Sequence, residues 1–259
     1  MSYGTKVNYK RKENIGKVIL CNSPLNLVDE KFFYELEKIQ QKIKSEKGLR
    51  AVIIVSDGEN FSAGIDLKYL SKASSSFMKN NLQWLQELYS FWQNLSIPVI
   101  AGISGYCIGS AVELIAGVDL RVSAKSALFS LPEVQLGLSP DMGGTTRITK
   151  IIGIGQAKKL IMACDKIDAK EAYRIGLVEY LVEDESLNEF VMKLAKKLSS
   201  YPPSSVRFAK NGINIAEENS TEAGLLFEQA QSIYCSGTND FEEGISSFIE
   251  KRKAKFKDE

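Results

Sequence analysis

Residues 104–114 read SGYCIGSAVEL, a glycine-punctuated turn that leads into an apolar helix. The turn follows Val99 to Ile103, which reads as a buried strand. The first turn of a helix leaves N–H groups unpaired and carries the positive end of the helix dipole, which suits a developing anion. Ser110 and Glu113 are three positions apart and therefore share one face of this helix. The stretch predicts either an N–H donor and a carboxylate that converge on one ligand, or a buried helix whose acid is satisfied by an arginine or an N-cap.

Outward from this unit, short β-rich runs alternate with helical patterns, which predicts an α/β fold of stacked ββα or βαβ units. One amphipathic helix begins behind Asp29, a predicted N-cap, and another ends before Pro98. The other predicted strands are Val18 to Cys21, Ala51 to Val55 and Leu120 to Ser123, and the apolar helical positions are Phe32, Leu36, Ile39 and Ile43, then Leu85, Leu88, Trp92 and Leu95.

The last third of the chain is predicted to be mostly helical, because strand signals become sparse after about Asp165. Pro202 and Pro203 interrupt one helix and can start the next. We therefore divide the chain into a core of residues 1–200 and a helical region of residues 201–259. The apolar positions at helical spacing are Leu187, Val191, Leu194 and Leu198, then Phe241, Ile245 and Phe248.

Residues 60–67, NFSAGIDL, follow the strand Ala51 to Val55 through an Asp57-Gly58 turn. Small residues let a ligand approach the backbone closely, so a free N–H group near Ile65 could point into a pocket. On local sequence alone, an ordinary loop of small residues before a helix is the favoured interpretation, because such turns are common between elements.

Residues 129–144, FSLPEVQLGLSPDMGG, place Glu133 and Asp141 on a loop rich in proline and glycine. Carboxylates that share a dry pocket repel one another, which raises at least one pKa and lets one act as acid while another acts as base. Taken singly, each is also explained as a solvated loop charge or a turn cap.

Composition restricts the chemistry more than it names a partner. The 259 residues carry a formal net charge of +1, which gives no field to recruit nucleic acid or acidic lipid. Histidine is absent, so acid–base chemistry must use other side chains, and a catalytic zinc site is not expected.

Met1 to Lys12 is polar and lacks a signal-peptide core, which favours a cytoplasmic protein. The four cysteines are far apart and read as free thiols: Cys21, Cys107, Cys164 and Cys235.

Two weaker features have simple explanations. Gly153-Ile154-Gly155 lacks the third glycine of a dinucleotide fingerprint, where Lys158 stands, and reads as a helix-start turn. The basic residues 251–257 could touch RNA, but a charged, solvated helix end is the more economical interpretation.

Together the three segments resemble the signature of the crotonase (enoyl-CoA hydratase/isomerase) superfamily, in order and over nearly the whole chain. The resemblance also includes the VDLRV strand at 118–122, Gly176-Leu177-Val178, and the DFEEG helix at 240–244. It implies an α/β fold built as a spiral of ββα units with a C-terminal helical region that packs trimers or dimers of trimers. It also implies an acyl-CoA thioester as substrate, with CoA as part of that substrate and no separate cofactor.

By position, the resemblance makes Ile65 and Ser110 the oxyanion-hole N–H donors, and Glu113 and Glu133 the acid–base pair. Ser110 departs from the glycine that is common there. The residues implied to line the CoA and substrate path are Ala63, Gly64, Ile65, Asp66, Leu67, Lys68, Gly109 and Ser110.

Asp141 leaves the reaction open. Hydratases of the two-glutamate type resemble this chain at Glu113 and Glu133, whereas dienoyl-CoA isomerases of the family carry an aspartate in the position of Asp141. The expected activity is hydration or isomerisation of an enoyl-CoA double bond, with a specialised 3,5-2,4-dienoyl-CoA isomerase as the alternative. Acyl-CoA hydrolysis and RNA binding without catalysis are less favoured hypotheses.

Overall fold

The computed structural model describes residues 4–72 and 75–257 and contains two sheets. The larger has six strands in the order β1-β2-β3-β4-β6-β9, with β1 antiparallel to β2 and the other pairs parallel. The smaller sheet joins β5, β7 and β8. The strands are β1 Val7–Lys12, β2 Ile15–Leu20, β3 Ala51–Ser56, β4 Val99–Ile103, β5 Tyr106–Ile108, β6 Leu120–Ala124, β7 Leu128–Ser130, β8 Ile167–Asp168 and β9 Tyr180–Val182.

Ten α-helices connect and cover these sheets in the described residues, and two short 3₁₀ turns lie at Glu133–Leu136 and Asp184–Ser186. The helices are α1 Glu30–Ser45, α2 Leu67–Leu70, α3 Ser75–Asn94, α4 Ser110–Ala116, α5 Gly144–Met162, α6 Ala169–Arg174, α7 Leu187–Ser199, α8 Pro203–Glu218, α9 Thr221–Ser236 and α10 Asn239–Ile249.

The predicted helix signals are confirmed where side chains or proline fix a terminus. The Asp29 carboxylate accepts the N–H of Phe32 at 3.0 Å and caps α1. Helix α8 begins at Pro203, the second of the two prolines. Gly153 has a φ of 78° and breaks α5, so the second segment of that helix starts at the predicted turn.

All four predicted strands are present, although β2 stops one residue before Cys21. The interpretation of the basic tail as a helix end is wrong. Helix α10 ends at Ile249, and Lys251 has a φ of 54°, which turns the chain back. The guanidinium of Arg252 then pairs with Glu243 at 2.6 Å, so the cation meets side chains of α10 instead of extending it.

The core lies on both faces of the larger sheet. Helices α1, α3, α4 and α5 cover one face, where Trp92 and Tyr89 of α3 are fully buried, and α7 covers the other. Lys210 attaches α8 to this core, because its ammonium donates to the carbonyls of Trp92 at 2.9 Å and Ile97 at 3.2 Å and to Asp119 at 2.8 Å. The ends of the two predicted regions, residues 1–3 and 258–259, lie outside the described residues.

The carboxyl ends of β3 and β4 lead into the two segments singled out in the sequence, residues 60–67 after the turn at 57–59 and residues 104–114 directly. Because these strands are parallel neighbours, both segments emerge at one edge of the sheet, where α/β proteins commonly bind ligands. Within residues 4–72 and 75–257, no helix is long and apolar enough to cross a bilayer.

Candidate active site

A cavity of about 520 Å³ opens at this edge of the sheet. Its wall is mainly apolar and includes Leu27, just before α1, Phe33 on α1 and Leu85 on α3. Every residue proposed from the sequence for catalysis or binding also lines it: Ala63, Gly64, Ile65, Asp66, Leu67, Lys68, Gly109, Ser110, Glu113, Glu133 and Asp141.

The turns that carry Ile65 and Ser110 are pressed together. Gly64 has a φ of 86°, and a Cβ there would lie 2.6 Å from the carbonyl oxygen of Ile108 and 3.6 Å from the amide nitrogen of Ser110. Ser62 locks the pair, since its N–H donates to Tyr106 at 2.8 Å and its carbonyl accepts from Ile108 at 3.0 Å. Only glycine fits at position 64 without separating the two turns.

The N–H groups of Ile65 and Ser110 have no hydrogen-bond partner in the described part of the chain. Around Ile65, the Gly64 carbonyl accepts from Val28 at 2.9 Å and the Asp66 N–H donates to Val28 at 2.8 Å. This leaves the intervening N–H free. The Ser110 N–H is unpaired because Ser110 is the first residue of α4. Two unpaired donors therefore lie on adjacent turns whose residues line the cavity, an arrangement suited to an oxyanion.

Glu113 is buried on α4, and its Oε1 accepts the N–H groups of Met142 at 2.8 Å and Gly144 at 2.9 Å. The acid is therefore satisfied by the turn that precedes α5 and by the first residue of that helix, and not by the arginine or N-cap considered from the sequence. Burial raises the pKa of Glu113 to about 8. The two N–H donors oppose this rise in pKa, and the nearby carboxylates of Glu133 and Asp141 add to it.

Glu133 and Asp141 complete the group of carboxyls. Burial raises the pKa of Glu133 to about 6, with a further contribution from Asp141. One oxygen of Glu133, Oε2, is buried and unpartnered among the described atoms, and Oε1 lies against Gly109. Burial also raises the pKa of Asp141. The pKa values of Glu113 and Glu133, about 8 and about 6, differ, so one of these two carboxyls can hold a proton while the other is charged.

Tyr89 lies beside the site, and the sequence alone did not single it out. It is fully buried on α3, and its hydroxyl lies close to that of Ser110. Burial, with the charge of Glu113, raises the pKa of Tyr89, while the neighbouring Ser110 hydroxyl opposes the rise. The only sequence signal was helical spacing with Leu85 and Trp92, which indicates burial and nothing more.

Two unpaired N–H groups and carboxyls of different pKa belong to residues that line one cavity, an arrangement suited to an acid–base enzyme that stabilises a developing anion. The family profile described as "Enoyl-CoA hydratase/isomerase" matches residues 10–259. The chain therefore belongs to the enoyl-CoA hydratase/isomerase family, which confirms the resemblance and the expected crotonase fold.

Individual relatives agree with this assignment. A crotonyl-CoA hydratase of Syntrophomonas wolfei is 32% identical over 248 residues, which cover 95% of each chain. The human mitochondrial methylglutaconyl-CoA hydratase is 33% identical, over 98% of this chain and 77% of that protein. The crystal structure of an enoyl-CoA hydratase from Bacillus anthracis superposes with a TM-score of 0.94 at 32% identity, covering 98% of this chain and all of that one.

Proposed function

We propose that this enzyme hydrates the double bond of a 2-enoyl-CoA thioester through an enolate held by the N–H groups of Ile65 and Ser110. The proposal rests on one observation above all, namely that these two unpartnered donors open into the same cavity as the carboxyls of Glu113 and Glu133. The printed names of its relatives, among them crotonyl-CoA hydratase, support hydration as the main activity.

In this mechanism the thioester oxygen accepts both N–H groups and gains charge as the reaction proceeds. Loss of one such donor typically costs about a hundredfold or more in rate. Glu113 and Glu133 hold a water molecule between them. One carboxylate takes a proton as the water oxygen bonds to C3, and the other carboxyl delivers a proton to C2. Hydration thus requires one ionised and one protonated member of the pair.

The CoA moiety is proposed to lie along Ala63 to Lys68, with Gly109 and Ser110 beside the thioester. The apolar remainder of the cavity would take the acyl chain.

Isomerisation of a 3,5-dienoyl-CoA is a second candidate because Asp141 lines the same cavity as the two glutamates. In that reaction no water adds. Asp141 or Glu133 would remove a proton, another carboxyl would return it at a different carbon, and the same N–H pair would hold the dienolate. The Glu113 and Glu133 pair argues against acyl-CoA hydrolysis as the main reaction.

The deciding experiment is a substrate panel on wild type and three variants. Wild type is expected to consume crotonyl-CoA, seen as loss of enoyl absorbance, and Glu113→Gln and Glu133→Gln are each expected to lower kcat by about a hundredfold or more. The isomerase candidate predicts that Asp141→Asn abolishes the gain of 2,4-dienoyl absorbance and spares hydration. The matched control is Asp57→Asn, because Asp57 is an exposed carboxylate in the turn that follows β3.

If wild type acts on neither substrate, the proposed function is wrong. Equal losses of both activities in Asp141→Asn would exclude a separate isomerase role for that residue. A salt-sensitive shift of RNA at physiological ionic strength would instead favour the RNA-binding hypothesis.

We also propose that the protein assembles as a homotrimer or a dimer of trimers through residues 201–259. Apolar side chains of α8 to α10 are strongly exposed in the single chain, with Phe248 at 85% and Ile233 at 76%. Such surfaces mark interaction sites.

The cytoplasmic location, the domain division and the absence of a separate cofactor stay predictions from the sequence.

A further inference from the structure

Arg147 lies one turn into α5, the helix whose first residue, Gly144, donates its N–H to Glu113. The described lining of the 520 Å³ cavity does not include it. Its guanidinium is nevertheless half-buried and makes three hydrogen bonds. Nη1 donates to the carbonyl of Met142 at 3.0 Å, Nη2 to the hydroxyl of Ser90 at 2.5 Å, and Nε to the side-chain oxygen of Gln93 at 2.9 Å.

These three hydrogen bonds hold the turn of residues 141–143 from outside the cavity. Met142 is held on both sides, because its carbonyl accepts from Arg147 while its N–H donates to Glu113. Gly143 has a φ of 115°, and a Cβ there would lie 2.0 Å from Nη1 of Arg147, so the guanidinium packs directly against the turn. Gln86 of α3 adds a hydrogen bond to the carbonyl of Asp141 at 2.7 Å.

We propose that Arg147 is a positioning residue, which holds the turn of residues 141–143 so that Met142 and Gly144 orient Glu113 and Asp141 faces the substrate. This inference rests on the proposed function, since it assigns the turn a role in that reaction. The argument is geometric: α3 is rigidly packed in the core, and Arg147 ties the turn to Ser90 and Gln93 on that helix. A planar guanidinium can make all three bonds at once, whereas an ammonium cannot satisfy the same fork.

Two variants separate geometry from charge. Arg147→Lys keeps the cation and loses the fork, and Arg147→Gln loses both. We expect kcat to fall by about tenfold to a hundredfold, because small displacements of a catalytic group have effects of this size. KM should stay within about twofold, since Arg147 does not contact the cavity.

The pH profile supplies a readout that a purely structural role would not move. The charged and titratable groups around Glu113 are Glu133, Asp141, Tyr89 and Arg147. Misplacing two N–H donors and removing a cation both disfavour the ionised carboxyl. The alkaline limb of the profile should therefore shift to higher pH in Arg147→Gln and less in Arg147→Lys.

Two controls account for charge and stability. Lys150→Gln removes a cation from the same helix, where Lys150 faces Glu217 at 3.7 Å and not the turn. Val191→Ala opens a cavity in the core on the opposite face of the sheet, and it provides a variant with lowered stability and an intact site.

A kcat within about twofold of wild type in both Arg147 variants would overturn the inference. So would a loss of kcat that Val191→Ala reproduces at matched thermal stability, or a rise in KM with kcat unchanged. Selective ¹⁵N labelling adds a test that needs no turnover: the amide signals of Met142 and Gly144 should move with pH in wild type, and their midpoint should shift in Arg147→Gln. Wild type that is inactive on both substrates would contradict the proposed function, and an unchanged midpoint would contradict the inference alone.

Discussion

Glu113 is a buried acid whose ionisation opposes folding. Its pKa lies at about 8 in the folded chain against an ordinary value of 4.5, so the folded state keeps the proton to higher pH than the unfolded state does. The stability associated with this proton is fully present below about pH 4.5 and is lost as the pH rises through about 8.

Glu113→Gln should therefore change the pH dependence of stability. The amide has a similar shape, and its oxygen can still accept from Met142 and Gly144. At pH 9 we expect the variant to be more stable than wild type by on the order of a few kcal/mol, and at pH 5 we expect the two to be similar. Urea unfolding at both values measures the difference. The same difference at pH 5 and pH 9 would contradict a buried, protonated Glu113.

The pair of glutamates also sets the pH range of activity. Hydration needs one proton shared between Glu113 and Glu133, whose pKa values are about 8 and about 6. Below about pH 6 both are protonated, and above about pH 8 both are charged. We expect a bell-shaped profile of kcat/KM with its maximum near pH 7, in which the two limbs belong to the coupled pair. A flat profile between pH 5 and pH 9 would exclude this proton arrangement.

Some residues of the site could be predicted from the sequence and others could not. Ile65, Ser110 and Glu113 sit on local turn and helix signals that a short window contains. Tyr89 and Arg147 reach Glu113 only through tertiary packing, from α3 and from the start of α5. Their positions relative to Glu113 depend on how those helices cross, and no local pattern contains that information.

At the scale of elements, the close contact of two turns creates the N–H pair. Gly64→Ala would place a methyl group 2.6 Å from the Ile108 carbonyl and require an alanine at a φ of 86°. The turns must separate, and the donors of Ile65 and Ser110 then diverge. We expect kcat for crotonyl-CoA to fall by about a hundredfold.

Gly155→Ala is the matched control for this substitution, because Gly155 lies within α5 and a Cβ there would meet nothing within 4 Å. It should keep wild-type kcat and equal or higher thermal stability. If Gly64→Ala were as active as Gly155→Ala, the two turns would not need their close approach.

The elements missed from the sequence share a physical cause. Strand β1 ends in two lysines and an arginine because only Val7 and Tyr9 are buried and its last three residues are exposed. Strands β8 and β9 have two and three residues and gain their pairing from neighbours distant in sequence. Short edge strands of this kind have too few residues for periodicity to reveal them.

For the whole molecule, the order of strands and helices was enough to predict an α/β fold, while the spiral itself followed from the resemblance. The decisive unit, β4 with the turn into α4, lies at the centre because β4 pairs with both β3 and β6. The sequence predicted a mostly helical last third. Packing within a single chain does not explain why apolar side chains of this region stay exposed. Within residues 201–257, the most exposed apolar side chains are Phe248, Ile233, Ile249 and Ile213.

The proposed assembly predicts the mass of the protein in solution. Wild type should sediment at about three or six times the 28.7 kDa protomer mass. Phe248→Glu places a charge where the side chain is 85% exposed in the single chain, so it should leave the protomer folded and shift the distribution to lower mass. Tyr173→Glu on α6 removes an exposed aromatic outside the C-terminal helices and should keep the wild-type mass. A wild type that sediments as a single protomer at micromolar concentration would show that α8 to α10 do not form such an interface.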